Sequence, residues 1–76
     1  MYPIYYAYKG YISDNEELVK EFAHEVHNLP VHKFDDEADV IFDFEGLLEW
    51  CKENCCTVQE LIDYQNLDIR KLGEFK

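Results

Sequence analysis

Regularly spaced carboxylates are the residues of this chain best suited to chemistry. Glu17, Glu21 and Glu25 recur every fourth residue, and Glu45, Glu49 and Glu53 repeat that step. Asp39 and Asp43 stand four apart between them, just after the acidic run Asp35, Asp36 and Glu37. On a helix, residues four apart share a face and rise about 6 Å per step. Fixed carboxylates at such spacings offer lysine and arginine side chains the partners they otherwise find on a phosphate backbone. Like charges at i, i+4 cost a helix about 0.2–0.5 kcal/mol per pair, and a surface shaped for solubility alone intersperses lysines among its acids. Residues 14–53 hold thirteen acids against Lys20, Lys33 and Lys52 and so carry the whole net charge of −10. A single row reads as a solvated helix face. Rows on three successive elements mark Glu17, Glu21, Glu25, Asp35, Asp36, Glu37, Asp39, Asp43, Glu45, Glu49 and Glu53 as candidate partner-binding residues.

Other chemistries fit less well. Asp35, Glu37 and Asp39 begin like a calcium loop, but Val40 stands where the turn glycine belongs and Gly46 where the final bidentate glutamate belongs. His24, His27 and His32 match no familiar zinc spacing, and the first two fall on the polar side of a helix, so no metal is expected. Cys51, Cys55 and Cys56 are an odd, tightly clustered set in which a bridge would close almost no loop, which points to reduced thiols. Cys51 lies beside Lys52 but between Glu49 and Glu53, a poor setting for a thiolate nucleophile. Exposed acids lack the apolar surroundings that raise the pKa of a general acid. No catalytic residues, no enzyme activity and no cofactor are expected.

The acids need elements to hold them. Pro3 to Lys9 reads as an aromatic strand ending at Gly10, with Ile4, Tyr6 and Tyr8 on one face and Tyr5, Ala7 and Lys9 on the other. Ser13 and Glu16 fit a capping box that opens a helix with Leu18, Val19, Phe22, Ala23 and Val26 as its apolar stripe, ended by Asn28-Leu29-Pro30. Val31–Phe34 and Asp39–Phe44 read as strands joined by a turn at 35–38, with Val40, Phe42 and Phe44 alternating against Asp39, Ile41 and Asp43. A helix over about 45–54 turns Leu47, Leu48, Cys51 and Cys55 inward, and Trp50 borders that stripe. Thr57 and Glu60 form a second capping box, followed by Val58, Leu61, Ile62 and Gln65 on one face. Leu67, Ile69 and Leu72 pack the tail back on the core. The fold class is α+β: a small antiparallel sheet of about three strands packed by two or three helices.

Seventy-six residues form a single domain, 1–76. A 47% hydrophobic share with 16% aromatic residues belongs to a folded chain rather than an acidic tail. No apolar run is long enough for a membrane span or a signal-peptide core. A charge of −10 disfavours direct nucleic-acid binding, and without a basic groove Tyr5, Tyr6, Tyr8 and Tyr11 supply packing area rather than base stacking. A domain this small buries only about 60% of its unfolded surface, so its surplus aromatics point to sharing with a second copy, a homodimer.

With its acidic rows Glu17-Glu21-Glu25, Asp39-Asp43 and Glu45-Glu49-Glu53, its size and its layout, the chain resembles the small acidic DNA-mimic proteins with which bacteriophages block host DNA-binding proteins. Among these it is most similar to inhibitors of the nucleoid-associated protein HU. The resemblance spans the whole chain and rests on charge and layout, since such mimics arise on unrelated folds and share no motif. It implies a basic DNA-binding protein of a bacterial host as partner, occupation of that partner's DNA site, and action in the host cytoplasm. Anti-restriction, anti-CRISPR and glycosylase inhibitors use the same physics. An acidic adaptor or antitoxin that binds one basic partner without mimicry is the alternative from a different class.

Overall fold

The computed structural model describes residues 4–69 and Leu72. It contains a three-stranded antiparallel sheet and four α-helices, in the order β1 (Tyr5–Tyr8), β2 (Tyr11–Ser13), α1 (Glu16–His27), a 3₁₀ turn (Val31–Lys33), α2 (Phe34–Glu37), β3 (Asp39–Ile41), α3 (Phe44–Glu53) and α4 (Val58–Gln65). This is the α+β class expected, with one helix more than the sequence suggested. Pro3 lies outside the described residues, as do Arg70, Lys71 and 73–76.

The sheet order is β2-β1-β3, so the aromatic strand is central. A central strand in a three-layer arrangement is covered on both faces, which is why β1 reads as a nearly unbroken apolar run. Tyr5 and Ala7 join Ile12, Ile41, Leu47, Trp50, Cys51 and Leu61 in one core on the side of α3 and α4. Tyr6 and Tyr8 join Val19, Phe22, Ala23 and Phe34 in a second core beneath α1 and α2. Leu67, Ile69 and Leu72 pack into the first core as expected.

A two-residue turn closes the β1–β2 hairpin. Lys9 (φ 45°) and Gly10 (φ 87°) both have positive φ, the requirement of the type I′ turn whose twist matches the strands it joins. Such a turn makes Tyr8 and Tyr11 a hydrogen-bonded pair. Alternation along the ladder then gives Tyr6 and Ser13 the same role. Ile12 must therefore point its N–H away from β1, and there it donates to Gln65 Oε1 at 2.9 Å. Gln65 Nε2 in turn donates to the Gly10 carbonyl at 3.1 Å. The β2 edge is thus plugged by one side chain from α4.

On the other side of β1 the same alternation makes Tyr5–Ile41 and Ala7–Asp39 the bonded pairs, with Tyr6 opposite Val40 between them. Val40 consequently directs its N–H and C=O outward from the sheet. Edge strands that leave such groups open are templates for another strand.

Several sequence expectations change. Val31–Phe34 is a 3₁₀ turn running into α2 rather than a strand, and residues 35–37 are helical rather than a turn. Phe34, 2% exposed, anchors that turn under α1, and the Ala38 N–H closes it on the Phe34 carbonyl. The missing strand is Tyr11–Ser13. Ser13 therefore ends β2, with its Oγ accepting from Asn15 N–H at 3.0 Å; Asn15 caps α1 by accepting from Glu17 N–H at 3.1 Å. The expected Ser13–Glu16 capping box is replaced by this two-step arrangement. The third strand stops at Ile41, and Ile41 is its buried residue, whereas Val40 and Phe42 are 54% and 68% exposed. Phe44 begins α3 and is only half-buried. In the helices Leu18, Val26 and Leu48 are exposed, and Cys55 lies beyond α3 at φ 53°. Trp50 takes the inward place instead, at 3% exposure. The Thr57–Glu60 capping box forms in full.

Candidate functional site

Ten of the eleven candidate carboxylates stand at exposed positions, and Asp43 is the exception. Asp43 is half-buried and caps α3, with Oδ1 accepting from Gly46 N–H at 2.7 Å. A carboxylate committed to a helix N-terminus complements the positive end of the helix dipole. Its expected place on a strand face beside Asp39 is therefore corrected: Asp43 lies past β3 and serves the fold. The type of residue was visible in the sequence, but the cap was hidden by extending the strand to Phe44.

Glu17, Glu21 and Glu25 form a row on the outer face of α1, opposite the buried Val19 and Ala23. Lys20 Nζ lies 3.8 Å from Glu17. Among the described residues no other member of the candidate set has a cation within ion-pair distance. Asp35, Asp36 and Glu37 are exposed on α2, immediately ahead of β3. Glu45, Glu49 and Glu53 are exposed along α3. Because α1 and α3 cover opposite faces of the sheet, their rows belong to two outer layers and do not merge into one strip.

What the fold does bring together is Asp39, Glu49 and Glu53. These three line a groove of about 170 Å³ beside β3, whose remaining wall is Val40, Ile41, Gly46 and Trp50. Helical spacing places Gly46, Glu49, Trp50 and Glu53 on one flank of α3, and that flank faces the open strand edge. Above the edge the opposite sheet face is apolar: Ile4, Val40 and Phe42 are all at least 45% exposed, and the register puts Ile4 opposite Phe42, one step beyond the Tyr5–Ile41 pair. Sequence reasoning missed these apolar residues. The alternation of Val40 and Phe42 was legible, but not which face the helices would leave bare.

Burial is the first cause pushing the Cys51 thiol from 9.0 up to about 12, followed by the hydrogen bond and charge of Cys56 and the charge of Glu60. At neutral pH it is a protonated core residue. Cys55 is exposed and Cys56 half-buried. His24 Nδ1 lies 3.1 Å from the Leu29 carbonyl, and His27 packs edge-on against Tyr8 and Phe22 at 5.4 and 5.1 Å. Among the described residues no group of three or more His, Cys, Asp or Glu side chains is placed to hold a metal ion, and no helix is long and apolar enough to cross a membrane. The arrangement can bind cations on a protein surface through carboxylates, with exposed Val40 and Phe42 for apolar contact.

Compared with protein-family models, curated proteins and solved structures, the chain matches none.

Proposed function

We propose that this protein is a DNA-mimic inhibitor that binds the basic DNA-binding surface of a host protein, with bacterial HU the leading target, and blocks DNA binding there. The observation that carries the reading is the exposed, largely unneutralised set of carboxylates on α1, α2, β3 and α3. The backbone of each is held by a regular element, so binding a lysine or arginine orders side chains but no main chain. Negative potential concentrated on a small body also speeds encounter with a positive target. The protein acts without catalysis, in the cytoplasm of the bacterial cell.

The test is displacement of fluorescent duplex DNA from purified HU. The protein releases the DNA at low salt, and the effect falls steeply as NaCl rises because each neutralised carboxylate contact is screened. Replacing Glu45, Glu49 and Glu53 together by lysine abolishes the release. A complex of HU and DNA left intact at low salt overturns the assignment to HU, and triple-variant activity equal to the parent's overturns the role of the α3 row.

A second reading is favoured by one observation: Phe42 is 68% exposed with Val40 beside it. An adaptor or antitoxin built on that apolar anchor holds its basic partner at high salt and leaves DNA in place.

A further inference from the structure

Phosphate mimicry accounts for the charge of the molecule but gives no role to the edge of β3, which pairs with no further strand among the described residues. The two edges of the sheet are treated differently. At β2 the outward N–H of Ile12 and the neighbouring Gly10 carbonyl are both taken by Gln65. At β3 the outward N–H and C=O of Val40 border a groove instead. Two chemically distinct surfaces flank that edge. Below it, on the α3 side, lie Asp39, Glu49 and Glu53; above it lie Ile4, Val40 and Phe42, exposed and apolar. A strand laid along Val40 sends its side chains alternately to these two sides.

We propose that the open edge of β3 is a docking site for an extended segment of a partner protein in which lysine or arginine alternates with apolar residues. The cationic side chains enter the groove toward Asp39, Glu49 and Glu53, the apolar ones extend the Ile4–Val40–Phe42 face, and the backbone pairs with Val40. Strand addition of this kind takes affinity from main-chain bonds and specificity from alternate side chains. Charge decides the occupant. A second copy docked edge to edge brings two sets of Asp39, Glu49 and Glu53 together on a body of net charge −10, and directly opposed like charges destabilise a strand pair. A basic segment turns the same groups into partners. The proposal rests on the reading that the partner is basic, and adds how its backbone is held.

The experiment uses the full chain labelled with ¹⁵N and a blocked octapeptide of alternating lysine and valine. A twin peptide with every backbone nitrogen methylated keeps the charge but can donate no backbone hydrogen bond. The lysine–valine peptide slows hydrogen exchange at the Val40 amide and binds at least tenfold more tightly than its methylated twin. Val40→Pro removes the outward N–H at a position where edge strands accept proline, and it weakens the unmethylated peptide at least tenfold; should that variant fail to fold, the twin peptides on the parent chain make the same distinction. Equal binding of the two peptides, or binding of neither, overturns strand docking while leaving the HU displacement result standing on its own. Protection of Val40 that rises with protein concentration before any peptide is added assigns the edge to a second copy and overturns the proposal.

Discussion

Cys51 shows how a residue that looks reactive is disarmed by its surroundings. Its thiol is raised to about 12, by burial first and then by Cys56 and Glu60. Tyr5 is raised as well, by burial first and then by the charges of Asp14 and Asp68, and its hydroxyl donates to the Asp68 carbonyl. Both groups therefore keep their protons in the folded state at pH values where the unfolded chain has lost them. Stability from this source is complete below about pH 9, the ordinary thiol value, and falls as pH rises toward the folded pKa. In urea titrations the parent loses stability from about pH 9, whereas Cys51→Ala holds until about pH 10, where the tyrosine begins to contribute. A parent profile flat to about pH 10.5 contradicts this account. Residue type alone could not supply it, because Cys51 lies on the inward face of α3 whereas Cys56 lies past the end of that helix and is only half-buried.

At the scale of the element, Lys9 occupies a position that chemistry would give to asparagine. Its φ of 45° is in the left-handed region, where the β-carbon crowds the following carbonyl oxygen at a cost of about 1–2 kcal/mol that asparagine offsets by hydrogen-bonding locally through its side chain. Asn-Gly is the preferred pair for this turn, so Lys9→Asn raises stability by about 0.5–1 kcal/mol, read as a higher urea midpoint with unchanged slope. An unchanged or lower midpoint shows that Lys9 gains as much elsewhere, its ammonium lying 5.8 Å from the Tyr8 ring centre. Legibility followed element length and punctuation. The α1 pattern, the Thr57–Glu60 box and the aromatic strand were readable because a long period or a reciprocal pair of side chains specifies each one. Residues 31–37 were misread because Val31, His32, Lys33 and Phe34 are as compatible with a strand as with a helical turn. Only tertiary burial of Phe34 chooses between them. Tyr11–Ser13 was missed because three residues cannot establish a period, and Ser13 also suits a cap. The acidic rows on the helices were legible, yet their division between two layers depended on the sheet order, which no local pattern encodes.

The whole molecule carries −10 on a body of 40 × 26 × 19 Å. At physiological ionic strength the Debye length is about 8 Å, shorter than the least of those dimensions, so repulsion acts within each acidic row more than between layers. The four i, i+4 glutamate pairs on α1 and α3 together cost about 1–2 kcal/mol at low salt. Raising NaCl from about 10 to about 200 mM therefore stabilises the free protein and lifts its melting temperature by about 4–8 °C, in the opposite direction to its hold on a basic partner. A melting temperature that falls with salt shows that the Lys20–Glu17 attraction outweighs the repulsion within the rows.

The single glutamine lodged against β2 has a further consequence. With the Ile12 N–H and the Gly10 carbonyl already bonded to Gln65, a strand added at β2 must first break both bonds, whereas one added at β3 displaces no such side chain among the described residues. A body with one growing end cannot be a link in a fibre, since every link needs two. Whatever strand it accepts, it accepts once, and the stack ends there. On this build the molecule is a terminus for strand addition, with β3 as its one unplugged end.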